Sequence, residues 1–555
     1  MTATKTTLKT KLAAILAAVM IAFGMAFAAE TAWAEEDVSK RPADAVCRVT
    51  VDGEPLVSNN SDALGYYKKA THVNWVLPSV EDGQKITIEV YKKYTARLEI
   101  PKGKTATLNV IGSVGLKGIT NEGTLTINGG AGTFTDTTNA ALVENNGTLT
   151  INGGSFTGKY YGVNNFGTAH IVDAEIHGAD SAIRTTGESS EVRIEGKSTK
   201  LTSESKEDPT IRANGSSVLL SDGTVTNADP EGNGIIASGS TITINSGTIE
   251  AYRGITLYTE NDIHSTLNMT GGTIDVKGAG IDGNGNDGVS TDSVINIFGG
   301  DIVSKSTGVY LPMSCTFEMT GGSITGATGI EAKLGDLTIK GGTVTGTGAN
   351  KSGKVQLNSG SDPDGSAITL VPYTFVSSGK SNLKLTITDG LITSKEGVAI
   401  SVCNPRKKDN EKIIDGSAAI EINGGTFKGK SASIKYYEKG TEKLKYEPVE
   451  SIEPGKDRKV AIIPEGTPND PDGVQDVIFK VTRGTYSSNV TDYCENGYTA
   501  ISTNGGETYS IIPSDEADGD SLKKTNNVAV AKIGNKYYGS VGAAIKALRK
   551  TPSQA

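Results

Sequence analysis

Aromatic and other large apolar side chains are scarce in this chain: it has two Trp, and aromatics make up 6% of 555 residues, too few to fill several conventional cores. Cysteine is also sparse, and Cys47, Cys315, Cys403 and Cys494 are too dispersed for a disulfide framework, so they read as single buried thiols. No stretch after residue 34 is apolar enough to cross a bilayer. Positive charge is outnumbered. The net charge of −9 becomes −11 once residues 1–34, with three lysines and Glu30, are removed, and an acidic chain disfavours DNA, RNA and anionic membranes as partners. Glycine is abundant at 69 residues, yet it follows no G-X-Y period and the 17 prolines are scattered, which excludes collagen and argues against simple disorder.

The N-terminus has the pattern of a secretory signal peptide. Lys5, Lys9 and Lys11 precede the apolar run 12–29, and Ala32-Trp33-Ala34 offers a small-x-small cleavage site before Glu35. A secreted protein is therefore expected; the alternative, given the length of the run, is an uncleaved N-terminal anchor.

What the chain does have is a repeat. GTLTINGG at 123–130 recurs unchanged at 147–154. Reduced to two apolar residues flanking a polar one, followed by a Gly, Asn or Asp corner, the pattern appears twelve times, from Leu125/Ile127 and Leu149/Ile151 to Leu385/Ile387 and Ile420/Ile422. Most spacings run from 20 to 28 residues, and one of 48 spans about two periods. A second apolar position follows each corner, as at Phe134, Phe156 and Ile249. A third comes after a small residue, as at Val163, Ile183, Ile235 and Ile281. Three short strands per period without helical periodicity describe a right-handed parallel β-helix of about fourteen coils. Identical octapeptides then occupy the same slot in adjacent coils, with Asn128 under Asn152 in a corner ladder. A β-sandwich also alternates, but its strands keep no three-strand register over many copies.

The expected organisation is a signal peptide at 1–34, an N-terminal cap and lead-in strands at 35–104, the β-helix at 105–430, a linker rich in Lys, Glu, Gly and Pro at 431–475, a small β module at 476–513 and a strand-helix module at 514–555. The last of these reads as incomplete, as in a shortened member of a larger design. No LPxTG-type anchor motif precedes Ala555, so release or non-covalent attachment is expected.

GTYSSNVTDYCENGYTA with ETYSII, and the tail VAVAKIGNKYYGSVGAAIKALRK at 528–550, resemble modules of surface proteins of Gram-positive gut bacteria. The IPKGKTATL stretch and the GG-[TS]-[FI] coils resemble the pectin-lyase-like β-helix domains of those proteins. Together the likeness covers most of 85–550 and implies an adhesin-like protein at the cell surface.

Chemistry is harder to find. Polygalacturonase-type hydrolysis needs clustered aspartates, and its Asn-Thr-Asp, Asp-Asp, Gly-His-Gly and Arg-Ile-Lys signatures are missing; Arg193-Ile194-Glu195 comes nearest to the last. Nor is there an Arg-x-Pro-x-x-Arg context for a Ca²⁺-dependent lyase. His170 and His177 read as a solvated face. One Ca²⁺ candidate exists: Asp282, Asn284, Asn286 and Asp287 place oxygen ligands at near-alternate positions, but Asp287 and Ser293 stand where an EF-hand wants Gly and Glu, so an ordinary turn is the competing reading. The Asp362-Pro-Asp364-Gly365 and Asp470-Pro-Asp472-Gly473 sequences read as turns. Tyr160, Tyr161, Tyr252, Tyr258 and Tyr310 could stack on sugars but nominate no site. The expected function is binding or display towards a host or bacterial surface glycan or protein; the alternative is a carbohydrate-active enzyme with a non-standard site.

Overall fold

The computed structural model describes residues 40–111, 115–286, 289–351, 353–355, 360–372, 381–404, 416–438, 461–462 and 477–550. The chain divides into two units, 1–45 and 46–555, and all that follows concerns the second. Its fold is a parallel β-solenoid with three strands per coil.

Alternation in the repeat sets which side chains point inward. In Thr124–Asp136, Leu125, Ile127 and Phe134 are buried while Thr124 is exposed, as period-2 strand geometry requires. Thr148–Gly158 lies above it with Leu149 on Leu125, Ile151 on Ile127 and Asn152 on Asn128. The same first-sheet register continues through Ile171, Ile194, Leu220 and Ile244 to Ile422. In the second sheet Phe156 stacks on Phe134 at 4.1 Å and 6°. The third sheet carries Val143, Val163, Ile183, Ile211, Ile235 and Ile255 in register. Three apolar columns thus fill the interior, each buried Ile or Leu contributing about 1.5–3 kcal/mol against exposure. At the corner a Cβ on Gly147 would lie 2.0 Å from Gly123 O, so coils can approach there only through glycine.

The expected corner ladder is present: Asn152 donates to Asn128 Oδ1 at 3.1 Å, and Asn128 to Asn109 Oδ1 at 2.8 Å. A second ladder runs inside the third sheet, where Asn121, Asn145 and Asn165 are buried.

The solenoid makes about eleven turns, fewer than the fourteen expected. Two lead-in strands, Lys85–Val90 and Thr105–Val110, already stack in parallel with each other and with Thr124–Asp136. Stacking therefore begins before residue 105. It also runs past 430: Ala432–Glu438 pairs with Val398–Asn404 and completes a coil in the stretch read as linker. Val477–Tyr486 then lies in parallel register on Gly416–Gly429, so the small β module opens with one more rung.

Both ends of the stack are covered by a change of strand direction. Cys47–Val51 runs antiparallel to Lys85–Val90, and the helix Ala70–Val76 packs nearby, with Tyr94 donating its hydroxyl to Ala70 O. At the other end Tyr509–Pro513 runs antiparallel to Val477–Tyr486. Antiparallel pairing consumes the edge groups that another parallel rung would otherwise seek. The hairpin Ala531–Ile533 and Lys536–Tyr538 and the helix Val541–Lys550 follow.

Candidate functional site

The outer wall of the third sheet differs chemically from the other two. Their outward positions hold mainly Thr, Ser and Asn, whereas the third sheet aligns Glu144, Asn164, Arg184, Arg212, Ile236, Thr256 and Asp282 rung by rung. Higher up, Tyr310, Glu331, Thr369, Ser401 and Lys435 share that column. Alternation aims these side chains away from the apolar interior, yet Thr256, Asp282, Tyr310, Glu331, Thr369 and Ser401 are all buried. Over Glu331 and Thr369 lie residues of the segment 360–364.

The covering segment around 360–366 is tied down by charge. Lys333, fully buried, donates to Tyr310 Oη at 3.0 Å and to Gly360 O at 2.8 Å, and lies 3.7 Å from Glu331 Oε1. Glu331 Oε2 accepts from Ser361 Oγ at 2.6 Å and from the Asp362 backbone N–H at 2.9 Å. Asp364 Oδ1 accepts from Thr369 Oγ1, Thr328 Oγ1 and the Ser366 N–H. Burial raises the Glu331 carboxyl, with Lys333 and the hydrogen bonds from Ser361 and Asp362 opposing it, and burial likewise raises Asp364. Burial lowers Lys333, opposed by Glu331. Charges in such surroundings persist because partners replace the lost water, and removing one partner strands the other.

Asp282 belongs to the same wall. Its Oδ1 accepts from Thr256 Oγ1 at 2.6 Å and its Oδ2 from Arg253 Nη1 at 3.0 Å. Burial raises its carboxyl, and Arg253 and Thr256 pull the other way. The Arg253 side chain is half exposed, so the pair shows a cation to solvent and hides its carboxylate.

The Ca²⁺ candidates can be placed one by one. Asp282 is engaged by Arg253 and Thr256, while Asn284 Oδ1 accepts from the Asn286 N–H at 2.9 Å, the bond of an Asx turn. Asp287 lies outside the described residues. The aspartates of 470–473 do too; Asp364, read from sequence as a turn residue, is instead a buried anchor. His170, 3.1 Å from Glu195, sits in the first sheet, and His177, bonded to Thr202 Oγ1, in the second, so they form no pair. Arg193 bonds Glu191. All four cysteines are buried free thiols, pushed up to about 12 by burial.

Of the tyrosines, Tyr310 is buried against Lys333 and Tyr160 is exposed. Tyr252 lines a shallow depression of about 340 Å³ with Glu250, Asp275 and Lys277. A second depression of about 420 Å³ lies around Asp222, Thr248 and Thr273. Neither touches the buried charges, whose hydrogen bonds serve to hold the covering segment to the wall.

Sequence reasoning missed the Lys333 cluster. Its trace is Glu331-Ala-Lys333 at the end of the strand Thr328–Ala332, otherwise made of small and apolar residues, together with the 48-residue spacing that announces an excursion. No protein-family model, no curated protein and no solved structure matches the chain.

Proposed function

We propose that this is a secreted, surface-associated β-helix protein of the pectin-lyase-like, adhesin-like kind found in Gram-positive gut bacteria, which binds or displays rather than catalyses. The observation that carries the reading is that the buried charges of the third-sheet wall are engaged by the fold itself: Asp282, Glu331, Asp364 and Lys333 are each hydrogen-bonded to groups of this chain. A catalytic acid or base needs a hydrogen-bond position free for substrate. About eleven turns at roughly 4.8 Å each give a solenoid on the order of 50 Å long, a ridged wall suited to extended partners such as host glycan, mucin or another bacterium. The signal-like N-terminus supports export.

Two measurements test this. On an array of host and bacterial glycans and mucins, the 35–555 chain is expected to be retained by a subset of spots. Fractionation of producing cells is expected to find the protein in the medium or in a high-salt wash. A protein confined to the cytoplasm, or one retained by no surface component, contradicts the reading.

A further inference from the structure

We infer that the C-terminal strand-helix module is a docking site for the first rung of another β-solenoid, an extended strand that pairs antiparallel along Ala531–Ile533 beside the helix Val541–Lys550. The module repeats the cap at the other end of the chain. AVCRV at 45–49 returns as AVAKI at 529–533, and YYKKATHVNWVL at 66–77 returns as YYGSVGAAIKAL at 537–548. The backbone pairing repeats as well. Cys47 lies opposite Tyr67 and Arg48 opposite Tyr66 in antiparallel register, and Ala531 lies opposite Tyr538 and Lys532 opposite Tyr537 in the same way. The Val46 N–H donates to Tyr67 O at 2.8 Å, and the Val530 N–H to Tyr538 O at 2.9 Å. The Arg48 guanidinium stands 5.6 Å from the Tyr66 ring centre, and the Lys532 ammonium 4.5 Å from that of Tyr537.

What differs is the cover. In the N-terminal cap Lys85–Val90 takes the second edge of Cys47–Val51, and Tyr94–Ile100 packs on the helix, with Tyr94 donating to Ala70 O and Asn74 to Arg97 O. Ala70 and Leu77 are therefore buried, at 4% and 0% exposure, whereas Val541 and Leu548 in the same places are 60% and 56% exposed. Among the described residues Ala531–Ile533 pairs with Lys536–Tyr538 alone, which leaves its other edge open. The helix buries the small Ala544 and turns Val541, Ile545 and Leu548 outward as one stripe. An open strand edge beside an apolar stripe is built to accept an added strand.

Charge selects the occupant. Glu89 lies opposite Arg48 on the covering strand, its carboxylate 3.8 Å from the guanidinium. Lys532 in the place of Arg48 calls for an acid at that position, set between apolar residues as in Ile88-Glu89-Val90. A second copy of this chain fits poorly: its own first rung already holds Cys47–Val51, and two Ala531–Ile533 edges paired about a two-fold axis would set Lys532 against Lys532. The module thus joins one solenoid to the next.

The test titrates a fluorescein-labelled peptide of residues 83–101, which carries both covering strands of the N-terminal cap, into the 35–555 chain and follows anisotropy. Saturable binding is expected, together with slowed hydrogen exchange over 529–548. Lys532→Glu should weaken it about fivefold or more and Leu548→Asp about tenfold, both with the melting temperature unchanged, and the peptide carrying Glu89→Lys should bind the Lys532→Glu variant better than it binds the parent. No binding, or affinity unmoved by both variants, overturns the site. A dimer of the parent chain in sedimentation that Leu548→Asp dissolves gives the surface to a second copy and overturns it too.

Discussion

Asn121 donates its side-chain amide to Asn145 Oδ1 at 2.7 Å inside the third sheet, and Asn145 repeats the gesture to Asn165 one coil on. Each amide also reaches backbone carbonyls at the corner; Asn145 bonds Gly147 O and Thr168 O. The ladder satisfies the turn from inside, where water does not reach.

Asn145→Ala should therefore cost about 3 kcal/mol, because it leaves several buried partners unpaired at once. Asn128→Ala, on the half-buried corner ladder, should cost about 1 kcal/mol or less. Denaturant midpoints of the two variants check the ranking.

Lys333 and Glu331 should behave as a unit. Lys333→Met strands a buried carboxylate and should destabilise by about 3–5 kcal/mol, and adding Glu331→Gln should restore a large part of that loss. A double variant no better than Lys333→Met alone would show that the pair does not brace the covering segment.

Asp136 gives a pH dependence of known sign. Burial acts to raise its carboxyl, but hydrogen bonds from the Asn139 and Thr138 side chains and backbone overcome this and bring it down to about 2, and Arg97 stands 3.2 Å away. A folded value below the unfolded one means stability that is present above about pH 4 and is lost as pH falls towards 2. The melting temperature of Asp136→Asn should lie below that of the parent at pH 6, a gap on the order of 1–2 kcal/mol, and should converge on it near pH 2.

Much of this architecture was legible because stacking repeats its own sequence. Leu149 and Ile151 announce their slots through Leu125 and Ile127, and the glycine corners mark where backbones meet. The ends were less legible: Ala432–Glu438 lies in a Lys- and Tyr-bearing stretch whose composition resembles a linker, although its register on Val398–Asn404 makes it a rung. The Lys333 cluster was illegible for a physical reason. Its members come from different coils and from an excursion outside the period, so no local pattern brings Tyr310, Glu331 and Asp364 together.

The register itself can be challenged with two neighbouring substitutions. Ile151 is fully buried and Thr150 faces outward beside Thr126 and His170. Ile151→Asp should cost several kcal/mol, while Thr150→Asp should cost about 0.5 kcal/mol or less. Equal melting temperatures would contradict the assignment of faces.

The proposal that this chain binds without turnover is tested most directly by the fate of its ligand. Pectic and mucin-type glycans are incubated for a day with the 35–555 chain and then analysed by mass spectrometry and reducing-end assay. The account predicts that glycans retained by the protein are recovered intact. Release of unsaturated or reducing ends, abolished by Asp282→Asn, would contradict it and make the third-sheet wall an active site.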